Sequence, residues 1–539
     1  MSLSLSLSLL LIFIFSCVPL FSETIDSSYF RKVDPLDPGT IHLFIKNTTA
    51  SMLSVTGIYL NGTEMKDMPN DLALWYQTVP PVAQPEEVMD VMVKLRRETK
   101  KLIRIETTLN TGEKLSSVIE PVSPDIKFTF IGYSKEKDKV YLYLENTGKE
   151  NLEIQKVFCN TKDITNNCFL PCPVLPPSSK TLIIHTLREP LSPGRYLSFK
   201  AVTEKGETAQ AVSRVYSHFP IEAFGKDTRP ELSFDPDCFA LHYPKKKEEF
   251  QKIKEEPLFK AIHLLDDPAC VDGYACALIG TSAKEVVKRG KECYENDPVH
   301  PTSVYSCEHG KPYCYFVYGE TTDIMVIDPY EIIFYHNEPE KNAYYTRLAK
   351  LASEPRLLWT IPEAFTYRGT RFPTSEEERI IVYSEIGEGS KGIWYYVYDK
   401  KLGYPANKGL EEEIKKINRE LQKLKDYIVI SEPFPLAKVE IEKVTPYSLL
   451  CGDKGIVLIL VNNDHESYFE EGKQPFTYQP KENFQVRINI PGWLKIKQIK
   501  EINYNGEKEV KYLLDKDNLI IPIDSLDITR QFFIEVERR

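Results

Sequence analysis

A chain of 539 residues, 42% of them hydrophobic and 27% charged, is globular and too long for one ordinary core, so three or four domains are expected. The formal net charge of −10 is offset by no basic run, which argues against a nucleic-acid-binding surface. Beyond residue 22 no apolar run reaches the roughly 18–20 residues that span a bilayer, so no transmembrane segment is expected there.

The chain begins with a Leu-Ile-Phe-rich stretch at 3–21, read as an export signal covering 1–22. It lacks the usual basic start, and Ile14-Phe15-Ser16-Cys17 loosely matches a lipobox, so a lipid anchor on Cys17 is the alternative. Either reading sends the protein to the outside of the cell or its surface. Of the 11 cysteines, most fall in clusters: Cys159, Cys168 and Cys172; Cys270 and Cys276; Cys293, Cys307 and Cys314. In an exported chain such clusters predict disulfides within local loops. No paired CxxC supplies a zinc quartet, and no phosphate loop or dinucleotide fingerprint occurs, so no metal and no cofactor is expected.

Residues 23–120 and 121–216 alternate short strand-like runs with turn signals such as Asn61-Gly62, and they read as two immunoglobulin-like β-sandwiches. Near Tyr216 the pattern changes. Short apolar strands at 217–225, 238–243, 258–265, 302–307, 322–328, 356–365 and 393–399 alternate with helical stretches. One helix opens at Thr281-Ser282, where Ser282 and Glu285 have capping-box spacing. Another has Ser375 and Glu378 at the same spacing, with Ile380, Ile381, Tyr383 and Ile386 as its buried face. A third carries Leu410, Ile414, Ile417, Leu421 and Leu424 on one side. Strands alternating with helices predict a parallel sheet, here a (β/α) TIM-like barrel over 217–437, reduced in its first half. Residues 438–539 return to the all-β style and predict a C-terminal sandwich. The fold class expected is thus multidomain, an irregular barrel flanked by all-β sandwich domains.

Several segments taken in order (HLLDDPA, SAKEVVKRGKECYENDPVHPT, YGETTDIMVIDPY, LLWTIPEAF, RFPTSEEERIIVYSEIGEGSKGIWYYVYD and INRELQKL) resemble the second half of a glycoside hydrolase barrel of the β-galactosidase-like type. The resemblance covers roughly residues 258–539 and rests on order and spacing rather than on one specific motif. It implies an acid/base Glu at one strand end and a nucleophilic Glu ending the seventh strand. Glu363 matches the nucleophile by placement. Asp266-Asp267-Pro268 stands where relatives hold D-E-P, so Asp267 replaces the acid/base Glu with a side chain one methylene shorter. A retaining pair needs carboxyls roughly 5–5.5 Å apart, which this departure puts in doubt.

The residues themselves support a site at the C-terminal ends of the strands, where Asp266, Asp267, Asp328, Glu363 and Asp399 fall. Asp267 and Glu363 form the candidate catalytic pair. Asp266, Asp328, Tyr330, Trp359, Trp394 and Tyr396 are the candidate substrate-binding set, because flat aromatics beside carboxylates suit sugar rings. Plainer readings exist for each: Asp328 and Asp399 as caps for the next helix, Asp266-Asp267-Pro268 as a turn, Glu363 as a structural hydrogen-bonding group, and the aromatics as core. The expected function is an exported glycoside hydrolase-like protein acting on a poly- or oligosaccharide. The alternative is a non-catalytic carbohydrate-binding or surface-structural protein with a decayed barrel.

Overall fold

The computed structural model describes residues 24–67, 73–225, 229–235, 241–257, 260–266, 268, 281–306, 312–336, 338–470, 474–516 and 518–539. The expected signal, Cys17, Asp267, Cys270, Cys276 and Cys307 lie outside the described residues. No helix among the described residues is long and apolar enough to cross a membrane.

Two antiparallel sheets built from the first hundred described residues share one core. Thr24–Arg31, Thr40–Lys46, Val88–Leu95 and Ala73–Val79 form one sheet, and Leu53–Leu60, Ile103–Leu109 and Lys114–Ile119 carry the other. Ile103, Ile105, Thr107 and Leu109 alternate inward along their strand, as a period of two requires. Asn61 (φ 51°) and Gly62 (φ 85°) make the tight turn between Leu60 and Thr63, the left-handed pair that a two-residue hairpin loop needs. Val88–Leu95 is buried along its whole length, because its second face packs against later parts of the chain. A second pair of antiparallel sheets follows between Ile126 and Arg214, around Phe128, Leu142, Ile183 and Phe199.

The expected barrel does not form. Seven parallel strands run in the order Ile221–Ala223, Ile393–Tyr395, Leu357–Thr360, Ile324–Ile327, Thr302–Ser306, Ile262–His263, Leu241–His242. No ladder among the described residues joins Leu241–His242 back to Ile221–Ala223, so the sheet is open, a half-barrel. Over the described residues the chain is 43% strand and 19% helix, and most of that strand lies in small antiparallel sheets outside the parallel one. The cause is visible locally. Three of the first four positions in chain order are strands of only two or three residues, which cannot sustain a ladder, and between the second and third stands just the five-residue helix Glu249–Ile253. Many small antiparallel sheets around one open parallel sheet replace the barrel flanked by sandwiches.

The later helices are well formed. Ser375–Gly387 is capped one residue earlier than the spacing of Ser375 and Glu378 suggests: Thr374 accepts the Glu377 N–H while Glu377 reaches back to the Thr374 N–H. Lys408–Ile428 buries Leu410, Ile414, Ile417, Leu421 and Leu424. These two helices lie between the parallel sheet and a C-terminal antiparallel sheet, and all three share one large core. The central C-terminal strand, Gly455–Asn462, is therefore apolar and buried throughout.

The expected local disulfides are not present among the described residues. Cys159, Cys168, Cys172, Cys293 and Cys451 are thiols. Burial pushes Cys159 up to about 11 and Cys168 up to about 12, so both stay protonated at neutral pH.

Candidate functional site

Glu363 follows the parallel strand Leu357–Thr360 and is fully buried. Its Oε1 accepts the Ile332 N–H at 2.9 Å and its Oε2 accepts the Ile333 N–H at 3.0 Å. Both oxygens are thus spent on the start of the short helix Glu331–Tyr335, the position where a helix leaves its N–H groups unpaired. Burial pushes the carboxyl well above the usual carboxylate range, and the two N–H bonds pull against it. Each oxygen thus carries one backbone N–H, and the carboxyl is closed off from solvent.

The other expected residues differ in role, and of them Tyr396 pairs with Glu363 through an isolated parallel bridge. Asp328 is buried directly after Ile324–Ile327, and Tyr330 occupies the cap position before Glu331–Tyr335. Asp266 is mostly exposed, 3.9 Å from the His263 ring. Asp399 holds the Lys401 and Leu402 N–H groups, both at 2.8 Å, in a turn. Trp359 and Trp394 do meet, with ring centroids 5.1 Å apart, and Tyr330 meets Tyr396 at 5.7 Å. Tyr330, Trp359 and Trp394 are all buried, however, and they pack on one another and on Phe365 and Tyr305 as a core. An aromatic face already covered by another ring offers no platform for a sugar.

Sequence reasoning passed over the neighbours of these rings. Glu222 stands in register with Trp394 on the adjacent strand, and His263 with Ser303. His263 stacks on Tyr305 at 3.6 Å, and Tyr305 meets Trp394 edge-on at 5.7 Å. Burial, helped by the Asp235 charge and opposed by Lys260, pushes Glu222 well above the usual carboxylate range. Burial and the His242 charge push His263 down to about 3, so its ring is neutral. Glu222 Oε1, both His263 nitrogens, Ser303 Oγ and the indole nitrogens of Trp359 and Trp394 find no hydrogen bond of good geometry among the described residues. Buried polar atoms are normally paired, so these groups stand out within an aromatic core. The signal was a polar residue at an inward position of a short strand, in IEA, IH and SVYS.

A separate cavity of about 560 Å³ lies between the strands Leu53–Leu60 and Ala73–Val79 and the helix Thr281–Asn296. None of the expected site residues lines it. Its walls include Trp75, Tyr76, Tyr196 and Tyr294. Trp75 is fixed by its indole N–H, which donates to the Val317 carbonyl at 2.8 Å. Six basic residues border the space (Lys66, Lys284, Lys288, Lys291, Arg214 and Arg356) against two acidic ones, Glu64 and Asp323. Asp323 is already engaged by the Tyr196 hydroxyl at 2.8 Å and by the Arg214 guanidinium at 3.3 Å. Lys288 stands 3.9 and 4.0 Å from Glu285 and Glu292, exposed pairings that contribute little. Lys66 pairs with Glu64 at 3.0 Å and Lys291 with Glu295 at 4.0 Å, so the excess is one of basic over acidic side chains on the walls themselves.

No protein-family model matches the chain, and no curated protein sequence matches it either. Among solved structures, a cycloisomaltooligosaccharide glucanotransferase from Paenibacillus sp. aligns at 7% identity over 76% of this chain and 100% of its own, with a TM-score of 0.39. A β-glucuronidase from Bacteroides uniformis aligns at 8% identity over 96% and 100%, with a TM-score of 0.26. The archaellum stator protein FlaG from Sulfolobus acidocaldarius aligns at 20% identity over 16% and 98%, with a TM-score of 0.15. Glycoside hydrolases thus figure among the neighbours, but such TM-scores do not establish a shared fold, and nothing about this chain follows from what those proteins act on.

Proposed function

We propose that this protein binds an anionic oligosaccharide in the cavity beside Thr281–Asn296 and does not cleave it. The observation that carries the reading is the excess of basic side chains around an aromatic-walled space of about 560 Å³, on a chain whose net charge is −10. That volume falls within the roughly 300–1,000 Å³ of small-molecule sites, enough for a few sugar rings. Tyr76 and Tyr294 supply flat apolar faces for sugar C–H groups, Thr78 and the Gln77 amide oxygen supply hydrogen bonds, and Lys284, Lys288 and Lys291 supply charge for carboxylate or sulfate substituents. A hydrolytic role receives less support, since both Glu363 oxygens are held by backbone donors. With residues 1–22 read as an export signal, the ligand would be met outside the cell.

Calorimetric titration with uronate-containing, sulfated and neutral oligosaccharides of equal length tests the proposal. The acidic sugars should bind, and binding should weaken as salt rises from 50 to about 500 mM, because the charges at the mouth are exposed. The double variant Lys288→Glu/Lys291→Glu should lose at least about tenfold in affinity. Equal binding of neutral and acidic sugars, or no change in the double variant, would overturn the assignment. Release of shortened sugars during the titration would overturn the non-catalytic part alone.

A further inference from the structure

The helix Glu340–Ser353 begins against a two-strand ribbon, His465–Ser467 paired with Phe476–Tyr478. His465 points inward from the ribbon with its side chain 1% exposed, its ring 5.0 Å from that of Phe476. Glu338 Oε2 lies 3.3 Å from His465 Nδ1, and Glu340 Oε1 lies 3.1 Å from His465 Nε2. Glu338 is oriented by its other oxygen, which accepts the Ser467 N–H at 3.3 Å.

Both His465 nitrogens and Glu340 Oε2 are buried without a hydrogen bond among the described residues. Two carboxylates stand close to the ring, yet neither lies in line with a ring N–H. A hydrogen bond requires the acceptor on the N–H axis. A shared cation requires something else: an ion on one nitrogen's lone-pair axis with a carboxylate oxygen beside it. Because Glu338 stands by Nδ1 and Glu340 by Nε2, the ion takes one ring nitrogen and the other carboxylate swings round to join it. Two ligands each about 2.05 Å from a tetrahedral ion stand about 3.3 Å apart. One ligand atom from each of Glu338, Glu340 and His465 can be chosen so that all lie within 4.8 Å of one another, and the closest pair stands at 3.1 Å.

We infer that Glu338, Glu340 and His465 form a site for a divalent first-row transition ion, with Zn²⁺ the best match. One imidazole and two carboxylates suit such an ion better than Ca²⁺ or Mg²⁺, which take oxygen ligands. With three protein ligands, a position is left for water, because Glu338 and Glu340 are partly exposed. The ion would tie the start of Glu340–Ser353 to the ribbon about 125 residues later in the chain.

The test is metal content and melting of the full chain after dialysis against Zn²⁺, Ca²⁺ or Mg²⁺, compared with Glu338→Gln, Glu340→Gln and His465→Gln. Glu338→Gln alters a half-exposed side chain and keeps the comparison valid if the buried variants fail to fold. The expected result is one Zn²⁺ retained per chain, a melting temperature that rises with Zn²⁺ and falls with chelator, and retention weakened at least about tenfold in Glu338→Gln. Ca²⁺ and Mg²⁺ should not be retained. No retained Zn²⁺, or equal retention by the wild type and all three variants, would overturn the site. In that case His465 is an imidazolium bridging two carboxylates.

Discussion

Glu363 accepts the Ile332 N–H at 2.9 Å, so a residue matched to a hydrolase nucleophile serves here as an anchor for the helix Glu331–Tyr335. Its second oxygen is taken by Ile333. The strand Leu357–Thr360 and the segment after the neighbouring strand Ile324–Ile327 are thereby joined at their C-terminal ends.

Replacement of Glu363 should therefore affect folding. Glu363→Ala strands two N–H groups in the interior, at about 1–3 kcal/mol for each unsatisfied group. Glu363→Gln keeps one acceptor and should cost about half as much. Urea melts of the two variants measure the difference, and sugar affinity should not change. Glu363→Gln with unaltered stability but a lost hydrolytic activity would restore the nucleophile reading.

Gly387 closes its helix against Tyr447, where an added Cβ would stand 2.3 Å from the ring. Tyr447 lies on the strand Val444–Cys451, which cannot retreat without disturbing its ladder with Gly455–Asn462. Gly387→Ala should destabilise by about 1–3 kcal/mol through overpacking. A smaller side chain in the double variant Gly387→Ala/Tyr447→Leu should recover part of the lost melting temperature.

His42 couples the N-terminal sheet to the parallel-sheet segment through Asp90 at 2.9 Å and Glu320 at 3.4 Å. Burial opposes its charge, but the two carboxylates outweigh burial and hold its pKa up to about 9. A raised folded value means the stabilisation is complete below the ordinary value of 6.5 and is lost as pH climbs through about 9. The urea midpoint should fall over that window in the wild type and vary less in His42→Asn. Parallel curves for the two proteins would remove His42 from the linkage.

Glu432 gives the opposite dependence. Burial would raise its pKa, but Lys350, Lys180 and Lys391 bring it down to about 2. Lys180 approaches to 3.1 Å and Lys350 to 3.3 Å. A lowered folded value means its contribution is complete above 4.5 and is lost as pH falls through about 2. Glu432→Gln should flatten that acid limb. At neutral pH it should cost about 3–5 kcal/mol, because buried ammonium groups are left without their counter-charge. Denaturant melts at pH 2.5, 4 and 7 separate the two effects.

Much of the local structure was legible in the sequence. The Leu410-to-Leu424 stripe is a buried helix face, and the Asn61-Gly62 pair makes its turn, because both depend on residues a few positions apart. About seven strand-like runs were countable between 217 and 398, and seven parallel strands stand among the described residues, in an open sheet rather than a barrel. Closure was not legible: whether short strands such as IEA and IH complete a barrel depends on pairing energies spread over the whole sheet. The meeting of Trp75 with Val317, of Glu363 with Ile332, and of His465 with Glu340 depended on tertiary structure for the same reason. A side chain's chemistry is set by composition, but its free oxygens, its desolvation and its neighbours are set by segments tens to hundreds of residues away, and only packing brings those together.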